Sequence, residues 1–345
     1  TNSKYAQYNI RTKIDINLTK RLLVAFDLGV TIADKANPVN YTTTSLFNLI
    51  SSVPSNAFPV YLPINAFGGN ALYSNPWGDM LQTGFFTSNY RTVQSRLKFT
   101  QQLDMITEGL SASGAISFNN SFRGYSSKSR TYKRFSVSKD ALGNTVYLPF
   151  GVITSLASNE SQFDQWRNFT FQSFLNYNRT FGYQRVDAML GYNLDTYTLS
   201  GNSLPYKHVG VNGRFTYSNR EKYIGEISFG YVGSENYDID KRFGFFPAVS
   251  LGWIASNEDF LKGSSTINYL KFRGSYGMVG NDNIGGQRFM YDQYYVGTSS
   301  YYFGTANTSM GGYAEGSIAN PNVTWEREKE MNIGFINSLS VLEFS

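Results

Sequence analysis

The chain contains no cysteine and a single histidine. Without thiols there is no disulfide framework, no thiolate metal site and no thiol nucleophile. Charge is scarce too. Lys, Arg, Asp and Glu make up 16% of the residues, against about 25% in an ordinary soluble domain. That excludes a charge-rich disordered chain. A formal net charge of +5 over 345 residues is too weak a field to argue for nucleic acid. Long apolar runs are missing as well: the stretch from Leu22 to Phe26 is among the longest, well short of the ~18–20 residues of a membrane-spanning helix. The length alone admits two globular domains or one β barrel. No charged-then-apolar leader follows Thr1, and Leu339 to Ser345 read like the opening of another strand. The chain is therefore expected to be a piece of a larger protein.

What is abundant is aromatic: 26 Tyr and 27 Phe, with Trp bringing the share to 17%. The hydrophobic period is 2, the signature of strands. Over residues 8–18, Tyr8, Ile10, Thr12, Ile14, Ile16 and Leu18 alternate with Asn9, Arg11, Lys13, Asp15 and Asn17. The pattern restarts over 22–32 and recurs over 92–105, 110–122, 167–181, 184–196, 208–217, 223–232, 247–255, 269–279 and 324–335. These are eleven strands, with a possible twelfth from Leu339. Tight turns are expected near 20, 108, 182 and 220. Residues 256–268 form a medium connection on the same side, with one helical turn over Asn257–Lys262. Long connections are expected near 34–91, 124–166, 199–207, 234–246 and 280–323, all at one end. Transmembrane barrels alternate short and long connections in this way. Strands beyond ~9–11 residues are long enough to cross a bilayer when tilted.

The aromatic excess fits this picture, because Tyr and Trp favour membrane interfaces. Tyr5, Tyr8, Tyr177, Tyr192, Tyr217, Tyr223 and Tyr231 fall near strand ends as girdle residues. In the last strand the face carrying Trp325, Arg327, Lys329, Met331, Ile333 and Phe335 passes from charged to apolar, as in a strand entering lipid. Polar residues on the alternate positions, Arg11, Lys13, Asp15, Arg96, Lys98, Asp104 and Arg273 among them, are expected to face a wet lumen.

Three motifs are more specific. Arg242–Trp253 contains Pro247 and Trp253. Leu270–Asn281 contains Gly277, Gly280 and Asn281, with Ile284 just beyond. Asn320–Glu326 contains Trp325 and Glu326. In this order they resemble the barrel of SusC/RagA-type TonB-dependent transporters of Bacteroidetes outer membranes, with Leu204–Tyr206 and Asn75–Trp77 adding to the likeness. Val232–Glu235 departs from the Asp-Gly-Ser-Ser common there. The resemblance implies an all-β, antiparallel transmembrane barrel of about 22 strands, of which residues 1–345 supply about half, without the plug domain. It implies TonB-dependent uptake of glycans or peptides across the cell outer membrane. The implied partners are outer-membrane lipid, a SusD-like surface lipoprotein, and TonB acting through a plug and TonB box. No cofactor is implied.

Enzymatic candidates are thin. His208 has no neighbouring carboxylate in the sequence. Glu326, Glu328 and Glu330 share one strand face at ~6.8 Å spacing, a separation seen in inverting glycosidases, but a solvated wall explains them more simply. The glycine-rich stretch from Gly277 lacks the Lys-Ser/Thr of a phosphate loop. Asn281, Asp282 and Asn283 do not complete a Ca²⁺ ligand pattern. Loop aromatics are better candidates for cargo contact: Trp77, Tyr294, Tyr295, Tyr301 and Tyr302, whose rings offer flat apolar faces beside amides. Two alternatives remain: a non-transporting barrel such as an adhesin or porin, or a soluble carbohydrate-binding β protein.

Overall fold

The computed structural model describes residues 3–39, 43–200, 204–264, 266–283 and 288–339. In chain order the strands are β1 (Lys4–Asn17), β2 (Leu22–Pro38), β3 (Tyr61–Leu62), β4 (Ala66–Gly68), β5 (Gly84–Gln102), β6 (Leu110–Ser129), β7 (Arg134–Lys139), β8 (Thr145–Phe150) and β9 (Ala157–Phe181). They continue as β10 (Gln184–Leu199), β11 (Tyr206–Asn219), β12 (Tyr223–Ser234), β13 (Phe243–Ile254), β14 (Ile267–Asn281), β15 (Tyr295–Phe303), β16 (Thr308–Glu315) and β17 (Glu326–Leu339). Helices α1 (Thr43–Ser52) and α2 (Pro76–Gln82) precede β3 and β5. Eleven strands form one sheet in the order β1-β2-β5-β6-β9-β10-β11-β12-β13-β14-β17. Every pairing in it is antiparallel, and the strands of this sheet follow one another in chain order, with β3, β4, β7, β8, β15 and β16 set aside in the connections. This is a fragment of a barrel wall.

The pairing converts the sequence alternation into two continuous faces. The row Ile14, Phe26, Leu97, Ile116, Phe171, Leu194, Val209, Gly233, Phe243 carries no polar side chain. One residue along, the row Lys13, Asp27, Arg96, Ser117, Thr170, Asp195, His208, Ser234 carries nothing else. A slip of one residue would exchange the faces, so the register is fixed by patterning. On β9 the apolar face runs Phe169, Phe171, Ser173, Leu175, Tyr177 between Arg167 and Arg179, the length of a tilted membrane strand.

The rows climb. One starts at Gln102, the end of β5, and reaches Glu330 on β17, whose corresponding end is Leu339. With ~3.4 Å rise and ~4.8 Å spacing, that is roughly 31 Å along the strands against roughly 38 Å across them, a tilt of about 40°.

Several strands extend beyond their expected limits toward the long-connection end, so four of the long connections shrink to 39–83, 130–156, 200–205 and 235–242, while the last shifts to 282–325. Leu339 closes β17 opposite Ile267 rather than opening a twelfth strand, and 340–345 lie outside the described residues, as does Ile284. The short connections are tight. Thr19 Oγ1 accepts from the amides of Arg21 and Leu22. Gly109 sits at φ +83°, where a Cβ would lie 1.9 Å from the Asn178 carbonyl oxygen. Ala255–Asn257 is a 3₁₀ turn, followed by bonds from Leu261 and Lys262 to the Glu258 carbonyl.

Buried side chains are few, as expected of a single wall. Two small cores lie among the long connections. One joins 39–83 to 130–156 through the sheet β3-β4-β7-β8, in which β4 and β7 run parallel. The other is Tyr237, Val323 and Trp325.

Candidate functional site

Arg11, Lys13 and Asp15 lie on the polar face of β1, with Lys13 and Asp15 paired at 3.4 Å. Arg96 stands between Asp27 and Ser117, and Lys98 between Ala25 and Ala115. Arg273 stands between Gly252 and Gly334 on the same face. The seventh expected member does not join them. Asp104 lies past the end of β5, and its carboxylate accepts from the Gly109 amide at 3.2 Å. A turn needed an acceptor there, and that took it out of the wall. Tyr5 also departs from expectation: it shares the polar face with Gln7 and Asn9 and bonds Gln7, so it is not a girdle residue.

At the short-connection end, Tyr223, Trp253, Phe272 and Phe335 form one row on the apolar face. Trp253 stacks on Phe272 at 5.7 Å. The polar tips of this row are collected by Glu258, which accepts from Tyr223 Oη (2.6 Å), Trp253 Nε1 (3.2 Å) and Lys222 Nζ (2.8 Å). Lys222 first, then Tyr223 and Trp253, hold the Glu258 carboxyl down to about 2.

At the other end, β13 and β14 separate. Their ladder begins at Ala248 opposite Gly277, one residue past Pro247, which has no N–H to give. Phe246 and Trp325 fill the fork at 5.3 Å, edge to face. A Cβ on Gly280 would lie 2.0 Å from Phe246 Cζ, and one on Gly277 2.8 Å from Ala248 Cβ. Trp325 is therefore not the first outward residue of the last strand: β17 starts at Glu326, and Trp325 is buried, its Nε1 donating to the Arg242 carbonyl at 2.9 Å. Asn281 Nδ2 donates to Glu326 at 2.8 Å, and the Asn281 carbonyl accepts from Tyr237. Burial, and then the charges of Asp282 and Glu326, push the Tyr237 hydroxyl up to about 12.

Beside this fork lies a polar hub that sequence reasoning missed. His208 Nε2 and Asp282 Oδ2 are 2.7 Å apart, and Ser234 and Asn236 donate to the same oxygen. Chiefly the His208 bond, with Ser234 adding, keeps the Asp282 carboxyl below the usual carboxylate range against the cost of its burial. Arg288 continues the network, donating to the carbonyls of Leu204 and Pro205 and to Asn236, with its guanidinium 3.9 Å above the Tyr206 ring. Three connections, 200–205, 235–242 and 282–325, thus meet beside β11 and β12. The partners are too far apart in the chain for a motif. Strand pairing would have exposed half of the signal, since Asp195 and Ser234 flank His208.

The cargo candidates divide. Trp77 lies on α2, 44% exposed, its Nε1 donating to Tyr61 Oη at 3.1 Å. Asn75 caps that helix from a buried position, accepting from the amides of Trp77 and Gly78 and donating to the carbonyls of Val60 and Gly68. Tyr294, Tyr295, Tyr301 and Tyr302 lie on or beside the hairpin β15–β16, in another connection. Tyr301 and Tyr302 are strand neighbours and point to opposite sides. The structure therefore does not assemble the five rings into one surface. Among the described residues no cluster of His, Asp and Glu has metal-ligand geometry.

No protein-family model matches the chain. The TonB-dependent receptor P3 of Formosa agariphila is 24% identical over 96% of this chain and 34% of its own length. The TonB-dependent receptor SusC of Bacteroides thetaiotaomicron is 31% identical over 36% of this chain and 12% of its own. The solved RagAB peptide transporter superposes with a TM-score of 0.65 at 15% identity, over 98% of this chain and 39% of that one. The chain spans about a third of the length of the receptor P3.

Proposed function

The chain is part of the outer-membrane β barrel of a SusC/RagA-type TonB-dependent transporter, and on that premise we propose that it walls and roofs a channel for TonB-dependent uptake of oligomeric nutrients, glycans or peptides. One observation carries the reading: an apolar face and a mixed-charge face that run unbroken across the sheet, one residue apart. The apolar face meets lipid. The polar face, with Arg11, Lys13, Asp15, Arg96, Lys98 and Arg273, lines a wet lumen. The long connections lie outside the cell, as barrel topology generally requires. There the hub around Asp282 and the fork around Trp325 hold the mouth in shape. Trp77, Tyr294, Tyr295, Tyr301 and Tyr302 contact cargo from at least two directions, together with a SusD-like lipoprotein. TonB acts through a plug and TonB box outside these 345 residues.

The test uses the full-length protein in its outer membrane. Uptake of labelled oligosaccharides and peptides is measured with and without an energised inner membrane. Energy-dependent uptake of either class is expected. Uptake that survives de-energisation points to a porin, and no uptake of either points to an adhesin.

A further inference from the structure

The polar face of the wall is not uniform. One row across it, Gln94, Asn119, Asn168, Tyr197 and Tyr206, holds only amides and phenols. The next row toward the long connections, Thr92, Ser121, Trp166 and Leu199, is uncharged as well. Charges resume on either side: Arg96, Asp195 and His208 in the row below, Arg123 and Asp164 in the row above. Trp166 and Asn168 flank Arg167, where the apolar stretch of β9 ends, so the neutral strip lies at the outer mouth of the lumen. Its strands, β5, β6, β9, β10 and β11, are each paired on both sides, so no sheet edge accounts for it.

Three rings of the strip form a ladder. The centroids of Trp166 and Tyr197 are 6.0 Å apart and those of Tyr197 and Tyr206 6.1 Å, with tilts of 40° and 47°. All three rings are half-buried. Below them the polar face of β9, β10 and β11 carries one other ring, Phe174, which packs down on Gly191, where a Cβ would lie 2.6 Å from Phe174 Cδ1. The Arg288 guanidinium covers one side of Tyr206 at 3.9 Å. Buried Tyr and Trp usually place their polar tips on a partner. Here, among the described residues, Trp166 Nε1, the hydroxyls of Tyr197 and Tyr206 and the amides of Gln94 and Asn119 bond to no side chain or backbone group. Asn168 engages only Oδ1, which accepts from Thr170.

We propose that this strip is a subsite for a neutral oligosaccharide, its sugar faces on Trp166 and Tyr197 and its hydroxyls on Gln94, Asn119 and Asn168. Rings offer flat surfaces to the C–H faces of sugars, and amides fix the hydroxyls at their rims. Neighbouring strands are ~4.8 Å apart, close to the length of one hexose, so successive residues of the row meet successive sugars. A peptide would bring charged ends and side chains for which neither row has a partner. The inference rests on the polar face lining a lumen, and it narrows the proposed cargo to glycan.

The full-length transporter, purified in detergent, is probed with an array of neutral oligosaccharides, uronic-acid oligosaccharides and peptides of mixed sequence. A neutral oligosaccharide is expected to bind, and the tightest one is titrated by calorimetry. Trp166→Ala and Tyr197→Ala should each weaken it by roughly tenfold. Trp166→Phe and Tyr197→Phe, which keep a ring, should lose about threefold or less. Thr196→Ala, on the other face of β10, should lose nothing, and all five variants should melt with the parent. Binding of peptides alone, or of no member of the array, overturns the proposal, as does unchanged affinity in the double alanine variant. A fall in melting temperature with affinity intact in the folded fraction assigns the rings to packing and overturns it too. A parent that binds the glycan but does not import it when energised rejects transport and leaves the subsite. Undiminished import by the double variant at sub-saturating glycan rejects the subsite and leaves transport.

Discussion

Asn75→Ala is the sharpest test of why the Asn-Pro-Trp motif is there. The Asn75 side chain makes four hydrogen bonds from a position 1% exposed: Oδ1 accepts from Trp77 N and Gly78 N at 3.1 Å each, and Nδ2 donates to Val60 O at 2.8 Å and Gly68 O at 2.9 Å. Alanine removes a helix cap, a loss of about 1 kcal/mol. It also leaves two carbonyls without a donor inside the small core, at about 1 kcal/mol each at the low end. Local opening of this unit should become easier by about 3 kcal/mol, a factor of roughly 100 in exchange rate. Hydrogen exchange by mass spectrometry on the folded full-length protein reads this over 60–80 and 130–150, while the wall strands stay protected. Asn75→Ser, which keeps an acceptor for the cap and loses the two donations, should fall between. Exchange within threefold of the parent in Asn75→Ala would refute the reasoning and would put the motif's value in a contact of Trp77 instead.

Further tests address other levels. Phe171→Lys, near the middle of the apolar stretch of β9, should destabilise the barrel in lipid by about 2–4 kcal/mol, whereas Gln172→Lys, its neighbour on the polar face, should change urea unfolding by under about 1 kcal/mol; equal effects would undo the assignment of faces. Asp282 has a folded value below its unfolded one, so its contribution is complete above the ordinary carboxylate range and vanishes as pH falls through the folded value. Protection of the amides at 235–237 and 281–283, corrected for intrinsic exchange, should fall on that descent and lose this dependence in Asp282→Asn. Glu258, held down to about 2, should keep the corner at 220–223 and 253–262 closed at pH 4, and Glu258→Gln should open it at any pH. Residues 1–345 expressed alone expose two sheet edges and the apolar face; they should require detergent, and a soluble monomer with a cooperative melt would contradict this.

Much of the fold was legible because a strand repeats every two residues and a barrel wall has only two faces. Ile14 and Lys13 declare their sides locally, and the register follows from matching like sides. Legibility ended where side chains left the repeat. Asp104 reads as a wall position until the turn needs its carboxylate. Trp325 reads as the first outward residue of a strand until the fork above Pro247 claims it as a plug of the gap. Tyr301 and Tyr302 read as a pair and face apart.

The sequence by itself determined the architecture, the apolar and polar faces and the end at which the long connections gather, since all three follow from local alternation and spacing. Only the tertiary structure decided what the mouth is made of. His208 of β11, Ser234 of β12, Asn236 of the connection 235–242, and Asp282 and Arg288 of the connection 282–325 meet there, and a hydrogen bond between residues 74 positions apart leaves no trace in the pattern of either segment.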